Sequence, residues 1–199
     1  MGDSYMDERE RSIYEAGEAL LAERLRQNIR AIDAAFQRAP EEYYAAFFKV
    51  IQDLLERVSE VQKQGNKGAL QYICISYLQS SLYTGHYQLR FDAYDDRQFG
   101  DVTDTYAYWS PDFIFQYIAE DIAHFRRHVS KHIIRIQEHE IMHFAARYSL
   151  HYYQIVRQFI ASLIESIISQ IIPDAEALTV TFGGYMDQTE VLFEAEKTQ

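Results

Sequence analysis

SPDFIFQYIAEDIAHFRRHVSKHIIRIQEHEIMHFAARYSLHYYQIVRQFIASLIESIISQIIP, residues Ser110 to Pro173, is the stretch whose reading decides the fold. Beyond Pro111 it holds neither glycine nor proline until Pro173, so nothing in it forbids helix. Its start is well marked: Ser110 suits a cap, Pro111 the first helical position, and Asp112 the positive end of the helix dipole. Phe113, Ile114, Tyr117, Ile118, Ile122, Phe125, Val129, Ile133 and Ile136 then recur at helical spacing. The run is too long for one ordinary globular helix, so two helices are expected, bending near Tyr148-Ser149. Six of the chain's seven histidines lie in this stretch. On a helical wheel His124, His128, His132, His139 and His143 flank the apolar stripe, and Glu140 projects to its middle.

Upstream, Ser12 to Arg38 reads as a helix, with Leu21, Leu25, Ile32 and Phe36 on one face. The residues before it, 1–10, are charged and are expected to be frayed. Pro40-Glu41-Glu42 starts a second helix, whose stripe runs Tyr44, Phe47, Ile51, Leu54, Val58 and Val61, and which Gly65-Asn66 ends. Ala69 to Tyr83 is apolar on most sides and is expected to be a third, central helix. Tyr87–Tyr94 then alternates with period two, as do Leu178–Phe182 and Thr189–Glu194. Val102–Trp109 is a further candidate strand. None of these is long enough to be stable alone, so Tyr87–Tyr94 and Leu178–Phe182 should share a sheet. The expected fold is therefore one helix-dominated α+β domain over residues 1–199, with about five helices and a small, largely antiparallel sheet of two to four strands.

Composition bounds the function. The 199 residues are 48% hydrophobic and 25% charged, as in an ordinary globular protein, and carry a net charge of −11. That charge argues against nucleic acid or an anionic membrane as partner. It is uneven: from His124 to Arg157 six Lys/Arg face two Asp/Glu, which suits a basic helix packed beside acidic ones. Cys74 is the single cysteine, so neither a disulfide framework nor a thiolate metal cluster can form within one chain. The N-terminus shows no apolar signal region, and the run Phe159–Ile172 is interrupted by Ser162, Glu165, Ser166, Ser169 and Gln170, so it is no membrane span. The expected location is the cytoplasm.

One string carries chemical meaning: His139-Glu140-Ile141-Met142-His143, an H-E-x-x-H. On a helix its two histidines face one way and can bind Zn²⁺, with the glutamate placed to take a proton from a metal-bound water. A third ligand would come from further along the chain, Glu165 or His151. The string resembles that of the gluzincin family of zinc metallopeptidases, in which a glutamate on the following helix completes the site. That resemblance implies His139, His143 and Glu165 as zinc ligands and Glu140 as the general base in peptide hydrolysis. A carboxylate-bridged metal site in a helix bundle would instead use Glu140-x-x-His143 and Asp121-x-x-His124. The non-metal reading makes the histidines the semi-polar border of an amphipathic helix, paired with carboxylates and tyrosine hydroxyls of the acidic N-terminal helices. No G-x-S-x-G or phosphate-binding glycine loop is present. The function expected from these readings is a non-catalytic, cofactor-free interaction or accessory protein. It would act through helical and tyrosine-rich surfaces on a protein partner or on itself; the alternative is the zinc metallopeptidase.

Overall fold

The computed structural model describes residues 7–101, 103–172 and 177–195. Its helices are α1 (Glu8–Arg38), α2 (Pro40–Lys63), the single turn α3 (Ser81–Thr84), α4 (Asp112–His128) and α5 (Glu138–Ile171). Its strands are β1 (Tyr72–Tyr77), β2 (Leu89–Tyr94), β3 (Tyr106–Trp109), β4 (Thr179–Gly184) and β5 (Thr189–Glu194). The helix-dominated α+β architecture is as expected. Of the residues expected to be frayed, 8–10 belong to α1, whose start Asp7 caps by accepting from the Glu10 amide at 2.7 Å. Residues 1–6 and Pro173, the expected helix stop, lie outside the described residues.

The chain forms two compact units, residues up to 38 with 112–155, and residues 39–111 with 156 onward. Helix α5 contributes its first half to one and its second half to the other.

In the first unit α1 buries Ile13, Gly17, Leu21, Asn28 and Ile32, and α4 buries Ile114, Phe115, Ile118, Asp121 and Phe125. From α5 come Phe144, Ala145, Tyr148 and Tyr152. The Phe125 and Phe144 rings stack at 3.9 Å, and Phe144 lies so close to α1 that a Cβ on Gly17 would stand 2.2 Å from its ring. Only glycine admits that approach. At the centre sits a fully buried carboxylate. Asp121 Oδ2 accepts from the Tyr148 and Tyr152 hydroxyls at 2.7 and 2.6 Å and from Asn28 Nδ2 at 3.1 Å. Its Oδ1 accepts from Arg24 Nε at 2.7 Å. Burial, and after it this carboxylate, push both tyrosine hydroxyls well above their ordinary range, so they stay protonated as donors.

The long helical stretch does break, but not where a bend was expected. Tyr148 and Ser149 are buried mid-helix in α5, and the Ser149 hydroxyl donates to the Ala146 carbonyl at 2.9 Å. The interruption runs through the 3₁₀ turn Val129–Lys131 to Gln137, with Arg135 at φ 54°.

In the second unit the five strands form one sheet in the order β3-β2-β1-β4-β5. All neighbours are antiparallel except β1 and β4, which run parallel with Cys74 opposite Thr181. Tyr87–Tyr94 and Leu178–Phe182 therefore do share a sheet, with one strand between them. That strand, β1, corrects the expected central helix at Ala69–Tyr83. Both of its faces are covered: Ile73 and Ile75 are fully buried on one side, and Ser76 is buried on the other. Its second face carries the half-buried Tyr72 and Cys74, which are too little polar to mark a clear period of two, so the stretch reads as an apolar helix. Phe47 of α2 packs on Phe91 and Trp109, and Phe159 of α5 packs on Trp109, so both helices lie on the Ile73/Phe91 face.

The loops at one end of the sheet are tied by a second buried charge cluster. The Lys67 ammonium donates to the Asp101 carboxylate, and both side chains are 0% exposed. Asp95, also buried, accepts from the Gly68 amide at 2.9 Å and from the Arg97 guanidinium. These loop residues thus also anchor the entry to β1.

Candidate functional site

H-E-x-x-H lies at the start of α5. With α5 beginning at Glu138, Gln137 is its cap and Glu140 the third helical residue. Glu140 Oε2 accepts from the Gln137 amide at 2.7 Å, the return half of a capping box. The same carboxylate is gripped by Arg9 of α1, with Nε at 2.5 Å and Nη2 at 3.0 Å. The Arg9 hydrogen bonds, and after them the Gln137 amide, bring the Glu140 carboxyl down to about 2. A carboxylate that acidic is a poor proton acceptor at neutral pH.

The proposed ligands are placed as follows. The His139 and His143 rings are 6.1 Å apart at right angles, and His143 faces Glu10 of α1 at 3.7 Å. Glu165 lies 22 residues beyond His143 on the same uninterrupted helix, about six turns along, with no turn between them to bring it back. His151 is engaged by Glu18 at 3.1 Å. Among the described residues no three His, Cys, Asp or Glu side chains group as a metal site requires. The bundle-type alternative loses Asp121 to the buried hydroxyl network. Of the five histidines in the non-metal reading His143 borders an α1 carboxylate, Glu10, and His151, outside that set, borders Glu18. His124 and His128 instead stack on each other at 4.2 Å, and burial, then His128 and the nearby arginines, lower the His124 pKa.

A consequence is measurable. Because the folded Glu140 carboxyl is depressed below its ordinary value of 4.5, its contribution to stability is complete above that value. It disappears as pH falls from there towards about 2. Glu140→Ala should remove this share of the acid sensitivity and, through the lost cap, cost roughly 0.5–1 kcal/mol at neutral pH. Urea midpoints of both proteins between pH 3 and 7 check it, the two curves drawing together at the acid end.

Two cavities stand out. One, of about 450 Å³, belongs to the first unit and is lined by Arg9, Glu10, Tyr14, His139, His143 and Arg147. The other, of about 570 Å³, lies in the second unit on the sheet face opposite Ile73 and Phe91. Its floor is Cys74, Ser76 and Asp92 from β1 and β2, its walls Tyr94 and the β4–β5 turn with Tyr185, Met186 and Asp187. The strand register explains the floor, since Cys74 pairs across with Asp92 and with Thr181. Asp92 is 3% exposed, and Arg90 donates to both its oxygens at 2.8 and 3.0 Å. The Arg90 guanidinium lies between the Tyr106 ring, 4.3 Å from its centroid, and the Tyr185 ring at 5.2 Å. Tyr72 and Tyr108 occupy the same face by register.

Burial raises the Cys74 thiol above its ordinary value, so it is protonated at neutral pH and is no activated nucleophile. Burial likewise raises the Asp92 carboxyl, against the pull of Arg90. Sequence reasoning missed this site because β1 was taken for a helix. The available signal was the alternation of small polar Cys74 and Ser76 with Ile73 and Ile75. Among the described residues no helix is long and apolar enough to cross a membrane. No family model matches the chain, and no curated protein or solved structure matches it either.

Proposed function

We propose that this chain is a non-catalytic, cofactor-free binding protein of the cytoplasm that engages a protein partner through the tyrosine-rich face of its sheet. One observation carries the reading: the larger cavity sets two half-buried tyrosines, Tyr94 and Tyr185, beside a floor of Cys74, Ser76 and Asp92, with Asp92 fixed by Arg90. This is the make-up of recognition sites, in which rigid amphipathic rings supply contact area and a few placed polar groups supply orientation. Burial holds the Cys74 thiol in the cavity floor above its ordinary pKa. The H-E-x-x-H glutamate is committed to a helix cap and an arginine. Nucleic acid and anionic membranes are disfavoured as partners by the net charge of −11.

Cys74 supplies the test, because it is the single cysteine and lines the cavity. The rate of its alkylation, followed by intact mass, is measured alone and with a chemically diverse peptide pool. Binding at this face slows the rate and leaves the peptides uncut. A rate that no peptide changes, together with Glu140-dependent peptide cleavage, would overturn the reading.

A further inference from the structure

The charge on this sheet face is one-sided. Arg90 is its one cation among the strand and turn residues described above, and it is neutralised by Asp92. Asp104 adds a carboxylate that is 84% exposed and touches Arg90 only at 3.4 Å. Asp187, exposed on the β4–β5 turn, adds another in the cavity wall. The excess of negative charge sits beside aromatic rings, and two of those rings already hold a guanidinium at 4.3 and 5.2 Å. Ring faces attract cations through their quadrupole, and exposed carboxylates add a longer-range pull. An anionic group entering the same cavity would meet Asp92 and Asp187.

From these observations we infer that the cavity receives an arginine or lysine side chain presented by a basic segment of a partner protein. The inference rests on the binding reading above and names the chemistry of the partner. The cavity of about 570 Å³ accommodates one long side chain and its flanking backbone. The incoming cation would lie against Tyr94 or Tyr185, with Asp187 at the mouth. A second copy of this chain is the poorer occupant, because each copy carries −11 and like charges oppose association.

The experiment uses the full chain and three short peptides: arginine–glycine, glutamate–glycine and serine–glycine repeats. Binding is read by calorimetry and by protection of Cys74 from alkylation. The arginine peptide is expected to bind, to protect Cys74, and to weaken as salt is raised. Tyr94→Ala should weaken it about tenfold, a loss of one desolvated cation–ring contact. Asp187→Asn, on an exposed turn and with circular dichroism as the folding control, should weaken it several-fold and flatten the salt dependence. Equal or stronger binding of the glutamate or serine peptide would overturn the cation assignment while leaving the binding reading standing. Protection of Cys74 that grows with protein concentration and needs no peptide would make a second copy the occupant, against the inference. No protection by any of the three peptides would overturn the inference, and the binding reading would fall with it only if the diverse pool also left the rate unchanged.

Discussion

Asp121→Ala is expected to destabilise the first unit by about 3–5 kcal/mol, the range for breaking a buried polar network by removing its acceptor. The carboxylate is 0% exposed and serves four donors at once: two tyrosine hydroxyls, an asparagine amide and an arginine. Alanine leaves the Tyr148 and Tyr152 hydroxyls buried without their acceptor and opens a void where α1, α4 and α5 meet. Against a typical total of about 5–15 kcal/mol, a loss of that size removes a fifth or more of the stability. Asp121→Asn separates charge from geometry. It keeps one acceptor oxygen but brings an amide against the tyrosine donors, so an intermediate loss is expected. Urea unfolding followed by far-ultraviolet circular dichroism checks both variants, and a loss below 1 kcal/mol for Asp121→Ala would contradict the description of this core.

Lys67→Ala should be the counterpart in the second unit, again about 3–5 kcal/mol, because it leaves the fully buried Asp101 carboxylate with only the longer Arg97 contact at 3.6 Å as its ion pair. Burial works against the ionised form of Asp101, but Lys67 and the Thr103 and Asp95 amides hold its pKa below the ordinary value. Remove Lys67 and burial prevails. The double change Lys67→Met/Asp101→Asn keeps an acceptor for the Thr103 amide, 3.0 Å away, and removes both charges together. It should recover much of the loss, since a buried ion pair is often replaceable as a pair though not singly. The lone tryptophan, Trp109, lies in this unit, so its fluorescence follows the transition locally. Equal losses in single and double variants would show that the pair is not what holds these loops.

Much of this fold is legible in the residues. Pro40 and Ser110-Pro111-Asp112 mark helix starts found at Pro40 and Asp112, and the period-two segments became β2, β4 and β5. What was missed has physical causes. The central strand β1 carries Tyr72 and Cys74 on its less buried face, so its alternation is faint in the sequence. The break before α5 uses neither glycine nor proline but a left-handed Arg135, and its cap is Gln137, outside the usual capping set of Ser, Thr, Asp and Asn. Without that break, Glu140 could not be seen as the third residue of a helix, and H-E-x-x-H took on a catalytic look. Lys67 is a residue type almost never buried unless paired, and its partner lies 34 positions away. The candidate site was hidden with β1, since its floor exists only once Cys74 lies opposite Asp92 and Thr181 in the sheet.

The central claim is that H-E-x-x-H caps a helix here and the chain binds without catalysing. The most direct measurement is elemental analysis of untagged protein, equilibrated with equimolar zinc and passed through gel filtration. The geometry predicts far less than one zinc retained per chain, unchanged in Glu165→Ala. One zinc per chain that is lost in both His143→Ala and Glu165→Ala would contradict it.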